Sequence, residues 1–182
     1  MAERLVILSD MWGAKRGPWI TSYLGYLQQY FDIVFYDCQQ LANMDIPVET
    51  EENIREAFRK EGAATAVAHL LNRESGGNSH FLAFGIGGAI AMRAVNKGLR
   101  MKSLYAVSSP EIPMDIRSAN FRVTLLYGSN DTDVPVVEWE LAKDLDLERV
   151  PHFGHTLYSD EKIIQKICRE LLGRLIKKQL PV

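Results

Sequence analysis

The sequence predicts an α/β fold, with about six mainly parallel strands and helices on both faces of the sheet. Two observations predict it. Short apolar runs alternate with segments of helical period along all 182 residues, and such alternation calls for parallel pairing through right-handed crossovers. No internal repeat, linker or shift in composition interrupts the pattern, so residues 1–182 read as one domain. A chain of this size buries roughly 70% of its unfolded surface without help from disulfides or metals.

The elements follow in order. Arg4-Leu5-Val6-Ile7-Leu8 is a short apolar run ending in the turn-like stretch 9–17, and reads as a buried strand. Pro18 opens a helix, because its missing N–H and fixed φ suit the first helical position. Trp19, Ile20, Tyr23, Leu24 and Leu27 repeat at helical spacing behind it. Residues 32–36 are β-branched and aromatic, hence a strand. Cys38, just after Asp37 at the end of this strand, reads as a partly exposed thiol. A long helix is predicted over 51–71, with an irregularity at Gly62. Residues 79–84 form the third strand and 86–96 the helix behind it, followed by strands at 103–107 and 122–127. A helix is expected after Pro135, then a short strand at 147–150. The last helix carries Ile163, Ile164, Ile167, Leu171, Leu172 and Leu175 on one stripe, with Ser159 as N-cap and Asp160 and Glu161 in its first turn. Cys168 falls on that stripe, and Arg169, Arg174, Lys177 and Lys178 read as a solvated face.

Composition excludes several classes of function. A chain that is 47% hydrophobic is not disordered. With 21 basic and 23 acidic residues, a net charge of −2 gives no electrostatic reason to bind nucleic acid. The longest apolar runs, such as 81–86, are too short to span a membrane. The N-terminus passes straight into a strand with no leader pattern, so a cytoplasmic location is expected. Cys38 and Cys168 make neither a disulfide framework nor a metal-ligand pattern, and no metal or cofactor is expected.

In a sheet of this kind the ligand site lies beyond the carboxyl ends of the strands. The residues there are Ser9-Asp10-Met11-Trp12-Gly13 after the first strand and Gly85-Ile86-Gly87-Gly88 after the third. Gly128 to Pro135 follows the fifth strand, and Phe153-Gly154-His155 precedes the last helix. Gly85-x-Gly87-Gly88 is a poor dinucleotide fingerprint, because its third glycine is missing and its strand is not the first.

Taken together these stretches resemble the α/β-hydrolase superfamily over nearly the whole chain. The family's strand-to-helix turn reads Gly-x-Ser-x-Gly; here Ala83-Phe84-Gly85-Ile86-Gly87-Gly88 puts Gly85 in the place of the nucleophilic serine. The resemblance implies that Asp131 is the family's acid and His155 its histidine, with Asp133 the rival acid. It also implies an oxyanion loop at Asp10 to Gly13, where Asp10 and Met11 replace the usual His and Gly. Its backbone donors would come from Ile86 and Trp12. No cap domain is expected, since only the short stretch 109–120 separates two strands where the family inserts one. The N-myc downstream-regulated proteins resemble this case, as a non-enzymatic family with the hydrolase fold and a glycine at the same place.

The chemistry needs each of these residues. The acid orients the histidine, the histidine takes the proton of the nucleophile, and two N–H groups stabilise the oxyanion. Gly85 offers no attacking atom. In a serine protease, removal of the serine costs about 10⁶-fold in turnover, while a glycine relieves on the order of 1–3 kcal/mol of strain at such a turn. The first reading is therefore a hydrolase-like scaffold without serine-hydrolase chemistry that binds a small acyl or carboxylate ligand. A second is an esterase- or thioesterase-type hydrolase in which His155 and Asp131 activate water or a displaced nucleophile, with Asp10 as another carboxylate for proton transfer. A third is a protein-interaction module with an open, uncapped face.

Overall fold

A computed structural model describes residues 2–112, 120–134 and 145–179, with backbone alone at 177–179. Its sheet has six strands: β1 (Glu3–Leu8), β2 (Phe31–Tyr36), β3 (Ser79–Phe84), β4 (Met101–Val107), β5 (Arg122–Gly128) and β6 (Leu145–Val150). They lie in the order β2-β1-β3-β4-β5-β6, and every pairing is parallel. The predicted architecture is thus observed, with β2, the Asp32 strand, at one edge of the sheet. The helix expected after Pro135 and most of the stretch 109–120 lie outside the described residues.

Alternate side chains of each strand feed two cores, because successive residues of a strand point to opposite faces. Val6, Leu8, Phe81, Ala83, Leu104 and Leu125 meet Ile54, Val67, Leu70, Ile90 and Ala94 on one face. These come from α3 (Glu51–Ala57), α4 (Ala63–Arg73) and α5 (Ile86–Asn96). Leu5, Ile7, Leu82, Phe84, Tyr105 and Leu126 meet Tyr23, Leu27, Ile164, Ile167 and Leu171 on the other. These belong to α1 (Ile20–Leu27) and α6 (Glu161–Gln179). The burial of one large apolar side chain is worth about 1.5–3 kcal/mol, so the two faces together supply the main driving force for folding.

Details depart from expectation where local chemistry decides. A π turn over Phe58–Gly62 joins α3 to α4, closed by the Ala63 N–H donating to Phe58 O, so the irregularity expected at Gly62 is one turn with an extra residue. Asp160, not Ser159, caps α6: its Oδ1 accepts from Lys162 N at 2.9 Å and Ile163 N at 3.4 Å, while Ser159 closes a 3-10 turn. Cys38 is fully buried at the start of α2 (Cys38–Leu41), not partly exposed. Burial pushes its thiol up to about 12. Arg174 is half-buried instead of solvated. It donates to Thr124 Oγ1 at 2.8 Å and lies over the Tyr105 ring. Among the described residues no helix is long and apolar enough to cross a membrane.

Candidate functional site

The parallel sheet delivers the ends of β1, β3, β4, β5 and β6 to one rim, and the predicted site residues gather there. Gly85 ends β3 with φ 51 and ψ −125 and leads directly into α5. A side chain is strained in that conformation, and a Cβ added at Gly85 would lie 3.2 Å from Asp10 Cβ. A side chain at Gly85 would therefore be both strained and crowded. Ile86 is the first residue of α5, where the backbone N–H has no partner within the helix.

The acid and the histidine meet. The loop after β5 carries Asp131 and the loop after β6 carries His155. The two loops touch because Gly128 has no side chain: a Cβ there would lie 2.1 Å from Phe153 O. Both Asp131 oxygens lie 3.2 Å from His155 Nδ1. The Asp131 side chain is 1% exposed and that of His155 36% exposed. The acid is thus locked in place, and the imidazole keeps an edge toward solvent. Asp131 Oδ1 also accepts the Asp133 N–H at 3.0 Å. Asp133 Oδ2 is farther from His155 Nδ1, at 3.7 Å, which leaves Asp131 as its partner. Asp131, Asp133 and His155 are also the residues here that could share a cation, each offering one ligand atom within 4.8 Å of the others.

The loop after β1 is held by a set of hydrogen bonds that the sequence does not show. Asp37 accepts from Ala14 N through Oδ2 and caps α2 through Oδ1. A Cβ at Gly13, where φ is 69, would lie 2.5 Å from that carboxylate. Ser9 Oγ accepts from Cys38 N at 2.8 Å, and Gln39 donates to Met11 O at 2.8 Å. Asp10 is 5% exposed. Its Oδ1 accepts the Trp12 N–H at 3.0 Å, and its Oδ2 accepts from the Tyr158 hydroxyl at 2.9 Å. The Trp12 N–H, expected as an oxyanion donor, is therefore engaged by Asp10. Burial raises the Asp10 carboxyl above its ordinary value, and the Tyr158, Trp12 and Gly13 hydrogen bonds oppose this in part.

Above these residues lies a cleft of 490 Å³. Asp10, Met11, Trp12, Gly85, Ile86, Asp131 and His155 all border it, so every predicted site residue faces one space. Tyr158, Phe58 and three arginines, Arg55, Arg59 and Arg93, also line it. These were not singled out from the sequence. The Glu51-to-Arg59 stretch has the charge spacing of an ordinary exposed helix face, and Tyr158 carries no motif. Ser9, Ser108 and Ser109 are buried, and among the described residues no serine or cysteine borders the cleft.

No protein-family model matches the sequence, and no curated protein does. Solved structures are similar. A proposed dienelactone hydrolase from Klebsiella pneumoniae has a TM-score of 0.74 at 17% identity, covering 94% of this chain and 85% of its own. A proposed hydrolase of the α/β superfamily from Xanthomonas campestris has a TM-score of 0.70 at 15% identity, covering 94% of this chain and 99% of its own. An α/β hydrolase from a Mar Chica lagoon sediment metagenome has a TM-score of 0.66 at 14% identity, covering 99% of this chain and 93% of its own. Together with the sheet order and the turn at Gly85, these likenesses show that the chain has the α/β-hydrolase fold.

Proposed function

We propose that this protein is a pseudoenzyme of the hydrolase fold: it binds a small acyl or carboxylate compound in the cleft above Gly85 and carries out no serine-hydrolase chemistry. The observation that carries this reading is Gly85 itself, which holds the strained backbone of the turn at φ 51 without a side chain. The Asp131–His155 pair persists beside it and has no serine or cysteine neighbour at the cleft among the described residues. A volume of 490 Å³ lies within the roughly 300–1,000 Å³ of small-molecule sites. The apolar sides of Met11, Trp12, Phe58 and Ile86 suit an acyl chain. Titration of ¹⁵N-labelled protein with hexanoate tests it. The Gly85, Ile86 and Gly154 amides are expected to shift together; shifts confined to a distant surface contradict the reading.

A second reading is supported by the intact acid–base pair. With Asp131 holding Nδ1, the other imidazole nitrogen of His155 is left to take a proton from water, which would make a slow hydrolase without a covalent intermediate. This reading requires turnover of short p-nitrophenyl esters that disappears in His155→Ala. Turnover that survives the substitution, or none in the wild type, removes it.

A further inference from the structure

The charges around the cleft are divided. At the Gly85 end stand Asp10, Asp131 and Asp133 around His155. An anionic ligand group there would face three carboxyl groups, and the Trp12 N–H is already engaged by Asp10. The same cleft is lined by Arg55, Arg59 and Arg93 from the α3–π turn segment and α5, together with two acids, Glu51 and Glu111. Glu51 holds Arg55 at 2.9 Å. Glu111 stands 3.7 Å from Arg93, beyond hydrogen-bond range. Arg59 has no acidic partner among the described residues. Phe58 and Ala63, from the segment that carries Arg55 and Arg59, and Met11 and Ile86, next to Asp10 and Gly85, give the cleft its apolar lining.

We infer that the ligand is an acyl compound with a carboxylate at its far end, its uncharged carbonyl directed toward Gly85 and its carboxylate held by Arg59 and Arg93. This rests on the cleft being the ligand site. A guanidinium presents a planar fork of donors that matches a carboxylate in two parallel hydrogen bonds, and Arg93 and Arg59 are the members of this set whose forks are not taken up at close range by a glutamate. The apolar lining then faces the spacer between the two ends of the ligand.

Amide shift titrations with two probes test this. Monomethyl succinate carries an ester and a carboxylate, and methyl butanoate is its neutral counterpart. The first is expected to shift the Gly85 and Ile86 amides and to bind at least about tenfold more tightly than the second, as charge-assisted hydrogen bonds imply. The preference is expected to shrink as salt is raised and to fall below about threefold in Arg59→Ala/Arg93→Ala. Equal affinities, or a preference unchanged in the double variant, overturn the arginine assignment while the cleft reading stands. If neither probe shifts Gly85 and Ile86, both readings are overturned.

Discussion

The Tyr158 hydroxyl donates to Asp10 Oδ2 at 2.9 Å across 148 residues of sequence, tying the loop after β1 to the turn that leads into α6. Because the other Asp10 oxygen accepts the Trp12 N–H, the loop that would supply a donor to an oxyanion has filled that donor from within. Of the two backbone donors expected at the site, Ile86 is the one left for a ligand. The proposed reading thus rests on two features of the rim: a glycine at position 85 and a Trp12 donor engaged by Asp10.

Asp10 ties stability to pH. Burial raises its pKa in the folded protein, so the folded state holds this proton more tightly than the unfolded chain does. The resulting stabilisation is present in full below the ordinary aspartate value and is lost as pH rises through the raised one. Asn at position 10 keeps an acceptor for Trp12 without the buried charge. Asp10→Asn is expected to be more stable than the wild type at neutral pH, with the advantage vanishing in acid. Urea unfolding at a series of pH values reads the difference, and an advantage that grows toward acid contradicts it.

Asp131 fixes the imidazole. With both carboxylate oxygens 3.2 Å from Nδ1, the wild type is expected to keep its His155 proton on that nitrogen. Asp131→Ala is expected to cost about 1–3 kcal/mol, since the Asp133 N–H also loses its acceptor. In that variant ¹⁵N spectra of the ring will show the tautomers mixed. A His155 ring spectrum identical to the wild type contradicts the assigned contact.

Any side chain at Gly85 meets a backbone with φ 51 and Asp10 Cβ at 3.2 Å. Gly85→Ala and Gly85→Ser are both expected to lose about 1–3 kcal/mol, because the strain comes from the Cβ and not from the hydroxyl. Chemical unfolding of the two variants checks this. A serine variant as stable as the wild type would contradict this source of strain.

The stripe on α6 is expected to carry the docking of that helix. Ile167 is fully buried in the core that α6 shares with α1 and the sheet, whereas Ile176, two and a half turns on, is 60% exposed. Ile167→Ala is expected to cost about 2–5 kcal/mol, and Ile176→Ala to stay within about 0.5 kcal/mol of the wild type. Equal losses at both positions would contradict the packing.

The fold was legible because its strands are apolar runs and its helices periodic. β3 and α5 fall where the pattern places them, and Asp131 and His155 come together as their loops imply. Less legible were the features set by contacts between distant segments. Nothing near Asp10 in sequence announces Tyr158, and Trp12 reads as a free donor until the carboxylate two residues earlier is seen to turn back on it. Cys38 reads as exposed at a strand end because the short α2 that buries it, capped by Asp37, has too few residues for a periodic signal. Ser159 and Asp160 are equally good caps by residue type, and only the backbone direction into α6 chooses the aspartate. Arg174 looks solvated on the helix until Tyr105 and Thr124 are found beneath it.

Intact-mass analysis after treatment with a fluorophosphonate probe bears most directly on the claim that this fold has lost its covalent chemistry. The wild type is expected to gain no probe mass, and neither is His155→Ala. Stoichiometric addition to a serine of the wild type, abolished in His155→Ala, would show an attacking hydroxyl within reach of the imidazole and contradict the account.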